Sequence, residues 1–308
     1  MRSEAGSMRK LRWRLETAIF ILFSFVISLI PNRIALFLGN MLGRLLFNLL
    51  KRRRKIAIDN ITATLPFLQG CEGWNPAHGT AQAIARRTFE NLGRSLVEDC
   101  KIYHGRGSHI IDNVQFRGLE HYENALAKNK GVAFITAHCG NWEVMALSFG
   151  VRIKELSVVA RRQDNAYLNN VLEKIRSGYG NRIIYKHGAL KPMIAEFRKN
   201  NIVGVLVDQA VMPDEGVLVE FLGRNCWTTK LPTVISRKTG VPLIPAFVHR
   251  EGDSHVVQFY PEIEPDLEKE GDDGVRTDTA ALLSVLEDYI VRYPDQWYWI
   301  HNRWKRVP

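Results

Sequence analysis

His138 and Glu143 are the residues whose type and spacing point most directly to chemistry. A short, almost wholly apolar run, Val132–Ala137, of the kind that forms a buried parallel strand, ends directly at His138. Gly140 and Asn141 then make a turn, and Glu143 opens a helical segment. An imidazole and a carboxylate five positions apart across a strand-to-helix turn can meet, the carboxylate holding one ring nitrogen. The other nitrogen is then free to take a proton from a substrate hydroxyl. Zinc is the rival chemistry for His and Glu, but no H-E-x-x-H and no cysteine pair at ligand spacing accompanies them. Cys139, next in sequence, would need a lowered pKa to act as a nucleophile, and adjacent residues of an extended chain point to opposite faces. The expected catalytic pair is His138 with Glu143, without metal or cofactor.

Other polar clusters fall at or just past predicted strand ends, where open α/β sheets collect their sites. Arg161–Asn165 follows one strand, and Asp208–Gln209 ends another. Phe221–Arg224 comes after a Met212–Gly216 loop. An arginine at such a rim can hold a phosphate through paired N–H bonds. The aromatic and basic segment Trp297–Trp304 reads either as core packing or as an amphipathic edge at a bilayer interface.

The elements that must position these residues alternate. Strands are predicted at 132–137, 157–160, 182–185, 202–207, 243–248 and 256–260. Helices are predicted at 80–100, 144–151, 166–177, 190–199, 233–239 and 277–293. Such alternation predicts an α/β fold with a mainly parallel mixed sheet flanked by helices, the last two strands forming an antiparallel edge. Four scattered cysteines form no disulfide framework and suit a reducing compartment.

Charge is concentrated at one end. Of the net +10, residues 1–60 carry +9, from twelve Lys or Arg against three acids. A nucleic-acid binder would spread its charge more widely, so this pattern points to an anionic surface met by one end of the molecule. The same end is the most apolar. Thr17–Ile30 carries no charge, Ile34–Leu50 only Arg44, and the basic cluster Lys51–Lys55 follows. The first run is short for a spanning helix, so both spanning and interfacial placements stay open. A cleaved signal peptide lacks a clean small-x-small site. We divide the chain into a membrane-anchoring segment, 1–55, and a catalytic domain, 56–308, with basic residues drawn to anionic headgroups.

His138–Glu143 resembles the H-x4-D/E motif of glycerolipid-type acyltransferases. Within that superfamily the chain resembles the lipid A biosynthesis late (lauroyl/myristoyl) acyltransferases over nearly its whole length. The likeness includes Arg161 four residues before Asn165, Asp208 at a strand end, Phe221–Gly223, Thr239–Pro245 and the ending Pro294–Lys305. Asn169 stands where the family often has Asp, and Arg162 where it often has Pro.

The resemblance implies a membrane-associated O-acyltransferase of lipopolysaccharide biosynthesis. Its donor would be an acyl carrier protein and its acceptor a hydroxyl of a phosphorylated glycolipid, a lipid A precursor. It would work at the bacterial inner membrane, with the catalytic domain on the cytoplasmic side. His138 would be the general base and Glu143 its partner. Arg161 would bind the acceptor's polar head, and Asp208 would support the site by fixing Arg161 or His138. Asn141, Arg161, Asn165, Asp208 and Gln209 form the expected substrate-binding set, with backbone N–H groups near Gly140–Asn141, or an arginine, receiving the oxyanion. The same architecture serves acyltransferases of phosphatidylinositol mannosides and of lysophospholipids. A hydrolase would use the base on water, but no G-x-S-x-G elbow is present. A non-catalytic membrane binder would leave His138–Glu143 without a purpose.

Overall fold

A computed structural model describes residues 2–307. Met1, Pro308 and the side chains of residues 2–7, with the charges of Arg2 and Glu4 counted above, lie outside that description. The helices, in chain order, are α1 (Arg2–Leu29), α2 (Asn32–Leu49), α3 (Lys51–Gly70), α4 (Ala81–Tyr103), α5 (Ser108–Asp112), α6 (Leu119–Leu126), α7 (Trp142–Arg152), α8 (Ala166–Gly178), α9 (Leu190–Phe197), α10 (Leu231–Thr239) and α11 (Gly271–Arg292). The strands are β1 (Gln115–Arg117), β2 (Val132–Thr136), β3 (Leu156–Ala160), β4 (Arg182–Tyr185), β5 (Ile202–Leu206), β6 (Gly216–Phe221), β7 (Arg224–Thr229), β8 (Leu243–Glu251) and β9 (Ser254–Phe259).

Seven strands form one sheet in the order β1-β9-β8-β2-β5-β3-β4, parallel except where β9 runs antiparallel to β8. The fold is thus α/β with a mainly parallel mixed sheet. One expectation is corrected here. The β8–β9 pair is not the edge, because the three-residue β1 adds in parallel outside β9. A separate antiparallel hairpin, β6–β7, occupies the region read as a loop and a polar cluster.

All five residues of β2 are buried, as a central parallel strand covered on both faces requires. One apolar layer, containing Ile135, Val203 and Leu286, packs against the sheet's α11 side. The other contains Phe134, Phe149 and Phe259 and packs against α7. Because β5 enters between β2 and β3, the two neighbouring strands β2 and β5 end side by side. Thr136 pairs with Leu206, so the residues two places further on, His138 and Asp208, emerge at the same level.

The N-terminal helices dock on α4. Gly39 and Gly43 of α2 meet Gly93 of α4 backbone to backbone, and a Cβ at any of the three would collide with main-chain atoms. Helix α3 starts in the basic cluster and continues through residue 55 without a break. No single helix among the described residues is long and apolar enough to cross a membrane; only α2 and α3 taken together pass on length and composition, and they meet at 92°. On α1 the usual pattern is inverted. Thr17, Ser24 and Ser28 are buried while Ile19, Leu22, Phe23 and Val26 face outward.

Candidate active site

His138 projects from the end of β2 with its side chain about one-fifth exposed. Its Nδ1 lies 2.8 Å from Asp208 Oδ1, and its backbone N–H donates to Asp208 Oδ2 at 3.0 Å. The indole N–H of Trp297 donates to the same Oδ2 at 2.9 Å. Burial alone would raise the Asp208 carboxyl, but the His138 charge and these donors outweigh it and hold it down at about 2. An anionic Asp208 keeps the ring proton on Nδ1 and leaves Nε2 as the basic nitrogen. Trp142 packs edge-on to the imidazole at 5.0 Å, and the Tyr298 ring lies 6.1 Å away. Tyr298 also donates its backbone N–H to the His138 carbonyl at 3.0 Å.

The expected pairing of His138 with Glu143 is therefore corrected: Asp208 takes the imidazole. Glu143 starts α7, which carries its carboxylate toward α8, where the Arg176 guanidinium receives it, with Nε donating to Oε2 at 3.1 Å and Nη2 bonding Oε1 at 2.5 Å. Glu143 and Arg176 together form one wall of the cavity that His138 enters.

Asn141 and Asn165 are not brought to that cavity. The Asn141 side chain caps α7 by accepting from Val144 N, and its Nδ2 donates to Glu98 Oε2 and Asp99 Oδ1 on α4. Glu98 is in turn held by Arg250 and His255. Asp99 is pushed well above the usual carboxylate range by burial and by the neighbouring Glu143. Asn165 caps α8 by accepting from Tyr167 N and Leu168 N, and donates to Trp13 O on α1. Both side chains are engaged by the fold. Of the backbone donors expected for the oxyanion, the Gly140 N–H is engaged by Gln296 O.

Gln209, beside Asp208, does reach the reactive nitrogen, its Nε2 lying 3.2 Å from His138 Nε2. Arg161 stands at the cavity mouth, exposed and paired with Asp164. Lys186, paired with Glu215, lies on the same rim. Exposed pairs of this kind exchange readily for an anionic headgroup. Cys139 is fully buried, and burial first, then Asp208, push its thiol well up, which removes it as a nucleophile.

Sequence reading missed Trp297 as a ligand of Asp208 and Arg176 as the partner of Glu143. For Trp297 the signal was present in the C-terminal aromatic segment. Trp297 and Trp299 are buried, so core packing rather than a bilayer edge is the outcome for them. For Arg176 no local signal existed, since it is thirty-three positions from Glu143.

Behind His138 the cavity, about 420 Å3, runs between the sheet and helices α7 and α8. Phe134, Met145, Phe149, Leu156 and Val158 line it. A cavity with an apolar floor, a Glu143–Arg176 wall and a carboxylate-held imidazole at its mouth can place a hydrocarbon chain's activated end beside a base, as an α/β acyltransferase requires. A sequence profile described as bacterial lipid A biosynthesis acyltransferase matches residues 5–306, and the chain belongs to that family. It is 26% identical to a lipid A biosynthesis lauroyltransferase of Escherichia coli, over 91% of this chain and 88% of the relative. A lipid A biosynthesis palmitoleoyltransferase of the same organism is 25% identical over 91% and 87%. A phosphatidylinositol mannoside acyltransferase of Mycobacterium tuberculosis is 26% identical, over 70% of this chain and 69% of its own length.

Proposed function

We propose that the protein transfers a fatty acyl chain from acyl carrier protein to a hydroxyl of a phosphorylated glycolipid, a lipid A precursor, at the inner face of a bacterial inner membrane. The observation that carries this reading is the Asp208-held imidazole opening onto a cavity with an apolar floor and a basic rim. The hydrocarbon chain lies in the cavity, and its thioester carbonyl stops beside His138. The acceptor hydroxyl takes the place of the Gln209 amide at Nε2. His138 removes its proton as the oxygen attacks, a contribution of roughly 10²–10⁴-fold.

The displaced Gln209 amide, 3.2 Å from His138 Nε2 before the hydroxyl arrives, would serve as a donor to the developing oxyanion in place of the engaged Gly140 N–H. Collapse of the tetrahedral intermediate expels the thiolate, which receives the proton from His138, and the ester is left on the acceptor. Arg161 and Lys186 at the mouth hold the anionic headgroup.

We assign the membrane seat to residues 1–55 and catalysis to 56–308. The outward apolar face of α1, with Phe37, Met41 and Leu45 of α2 also exposed, supports helices lying in the interface rather than crossing it. The basic residues of this segment would meet anionic headgroups.

The test of the pairing is steady-state kinetics of two variants. Asp208→Asn should lower kcat by at least about 100-fold, because the imidazole loses its tautomer control, while both KM values stay close to wild type. Glu143→Gln should retain most of kcat, because it touches Arg176 and not the base. Loss of activity in Glu143→Gln with Asp208→Asn spared would reverse the assignment.

A further inference from the structure

Two sets of cations lie near His138. Arg161 and Lys186, proposed above to hold the acceptor headgroup, follow β3 and β4, which stand beyond β5 from β2. The second set is built by α3, β7 and the C-terminal segment. That segment passes the base directly, since Tyr298 donates its backbone N–H to the His138 carbonyl and holds its ring 6.1 Å from the imidazole. It is then tied to α3, where Asn60 Nδ2 donates to Trp299 O at 2.9 Å and to His301 O at 2.8 Å. Arg53 Nη1 reaches Ile300 O at 3.4 Å. Burial first, then the charges of Arg306 and Arg53, lower the Lys305 ammonium, which places the three cations together. Arg224 lies over the Trp304 ring, 4.8 Å from its centroid. Arg53 and Arg306 are exposed, and Arg224 and Lys305 are half-buried.

Lys55 is paired with Asp59, Arg161 with Asp164 and Lys186 with Glu215, whereas none of Arg53, Arg224, Lys305 and Arg306 has an ion-pair partner among the described residues. Like charges gathered with no carboxylate in contact repel one another, and an anionic partner would relieve that repulsion. The surface is also polar: among the described residues, no large apolar side chain is exposed at positions 51–95, 213–266 or 268–307. That separates it from α1 and α2, whose outward Ile19, Phe23, Phe37 and Leu45 belong to the face proposed for the membrane.

We propose that Arg53, Arg224, Lys305 and Arg306 form the docking surface for the acyl carrier protein, so that donor and acceptor approach His138 from different sides. This rests on the acyl-transfer reading above. The acceptor is a lipid, and α1 meets the Arg161–Asn165 side through Trp13 and Arg14. The donor is a soluble, acidic protein, and it finds a cationic surface with no apolar face that would draw it to lipid. Its tethered thioester then has only to pass Tyr298 to reach the base. Charge complementarity of this kind speeds encounter and selects the partner, and salt weakens it.

The experiment uses full-length enzyme in detergent micelles with a lipid A precursor and two donors of one chain length. One is acyl carrier protein, and the other is acyl-pantetheine, which bears the thioester without the protein. Arg53→Glu combined with Arg306→Glu should raise KM for the carrier protein by roughly tenfold, because the reversed charges repel the donor. Transfer from acyl-pantetheine, KM for the acceptor and melting temperature should stay as in wild type. Added sodium chloride should raise the wild-type KM for the carrier protein and leave acyl-pantetheine unaffected. Titration of the enzyme with unacylated carrier protein reads binding without turnover, and flotation with vesicles containing anionic phospholipid reads membrane attachment.

A folded double variant with wild-type KM and wild-type binding for the carrier protein would overturn the assignment. Weakened flotation with carrier binding intact would overturn it too, by giving the patch to the membrane. Salt-sensitive carrier binding that the variant loses, with no transfer by wild type from either donor, would uphold the docking surface and sink the acyl-transfer reading instead.

Discussion

At the imidazole, the position of one proton decides the chemistry. Asp208 sits on Nδ1, so Nε2 is the nitrogen that can accept a proton, and it is also the one facing the cavity. The sequence marked His138 as a base, but it suggested Glu143 as the partner through nearness along the chain. The sheet register overrides nearness, because it sets the ends of β2 and β5 level and brings Asp208 across from seventy residues away. A His and an Asp closing two apolar runs were visible in the sequence, yet nothing local said that those runs are neighbours.

A second histidine steadies the same loop. His301 Nε2 accepts the backbone N–H of Ala210 at 3.2 Å, which requires that nitrogen to be unprotonated. Burial, reinforced by Lys305, lowers its pKa from 6.5 to about 4. The unfolded chain binds a proton here near pH 6.5 and the folded protein only near 4. Its stabilising contribution is therefore complete above about pH 6.5 and is lost as pH falls toward 4. Melting temperature should drop across that window, and His301→Gln, whose amide oxygen can accept the same N–H, should flatten part of the drop. His78, His104 and His249 are also lowered by burial and add to the drop, whereas Asp99 and Glu287, raised by burial, oppose it. An unaltered pH slope in His301→Gln would remove His301 from this role.

Among the elements, those with strong periodicity or a continuous apolar run were legible: β2, β3, β4 and β5 fall within a residue of their predicted places, while β8 runs three residues further and the short β1 was not anticipated. The β6–β7 hairpin was not. Its two-residue turn holds both Leu222 and Gly223 at positive φ, a geometry that usually advertises itself as Asn-Gly. Leu in the first position hides that signal. The N-terminal helices were legible as apolar but not as docked, since the Gly39, Gly43 and Gly93 stripe acquires meaning only when α2 and α4 are brought together.

The inverted α1 carries the prediction that belongs at this scale. Full-length protein should stay with membranes in high salt, because the attachment is mainly apolar and screening reaches only surface charge. Alkaline carbonate should release it, as expected for helices lying in the interface. Replacing the outward Ile19 and Phe23 with Glu should make it salt-extractable. Release of wild type by salt alone would rule out the apolar seat, and resistance to carbonate would indicate a spanning segment.

For the molecule as a whole, the proposed membrane seat and the site are mechanically joined. Helix α1 meets α8 through Arg14 Nε donating to Tyr167 Oη at 3.1 Å and Asn165 Nδ2 donating to Trp13 O at 3.0 Å. Helix α8 follows the Arg161–Asn165 rim and carries Arg176 in the cavity wall. A lipid acceptor lying in the bilayer would thus present its headgroup to a rim fixed next to the helix proposed to face the membrane, and its hydroxyl to His138. On the proposed mechanism this imidazole moves an acyl chain onto that hydroxyl. The most direct measurement is mass spectrometry of a lipid A precursor incubated in detergent micelles with acyl carrier protein donor and purified enzyme. Wild type should add one acyl chain, and His138→Ala, with its melting temperature preserved, should lose transfer by at least about 100-fold. Transfer by a folded His138→Ala at a rate near wild type would show that His138 is not the base.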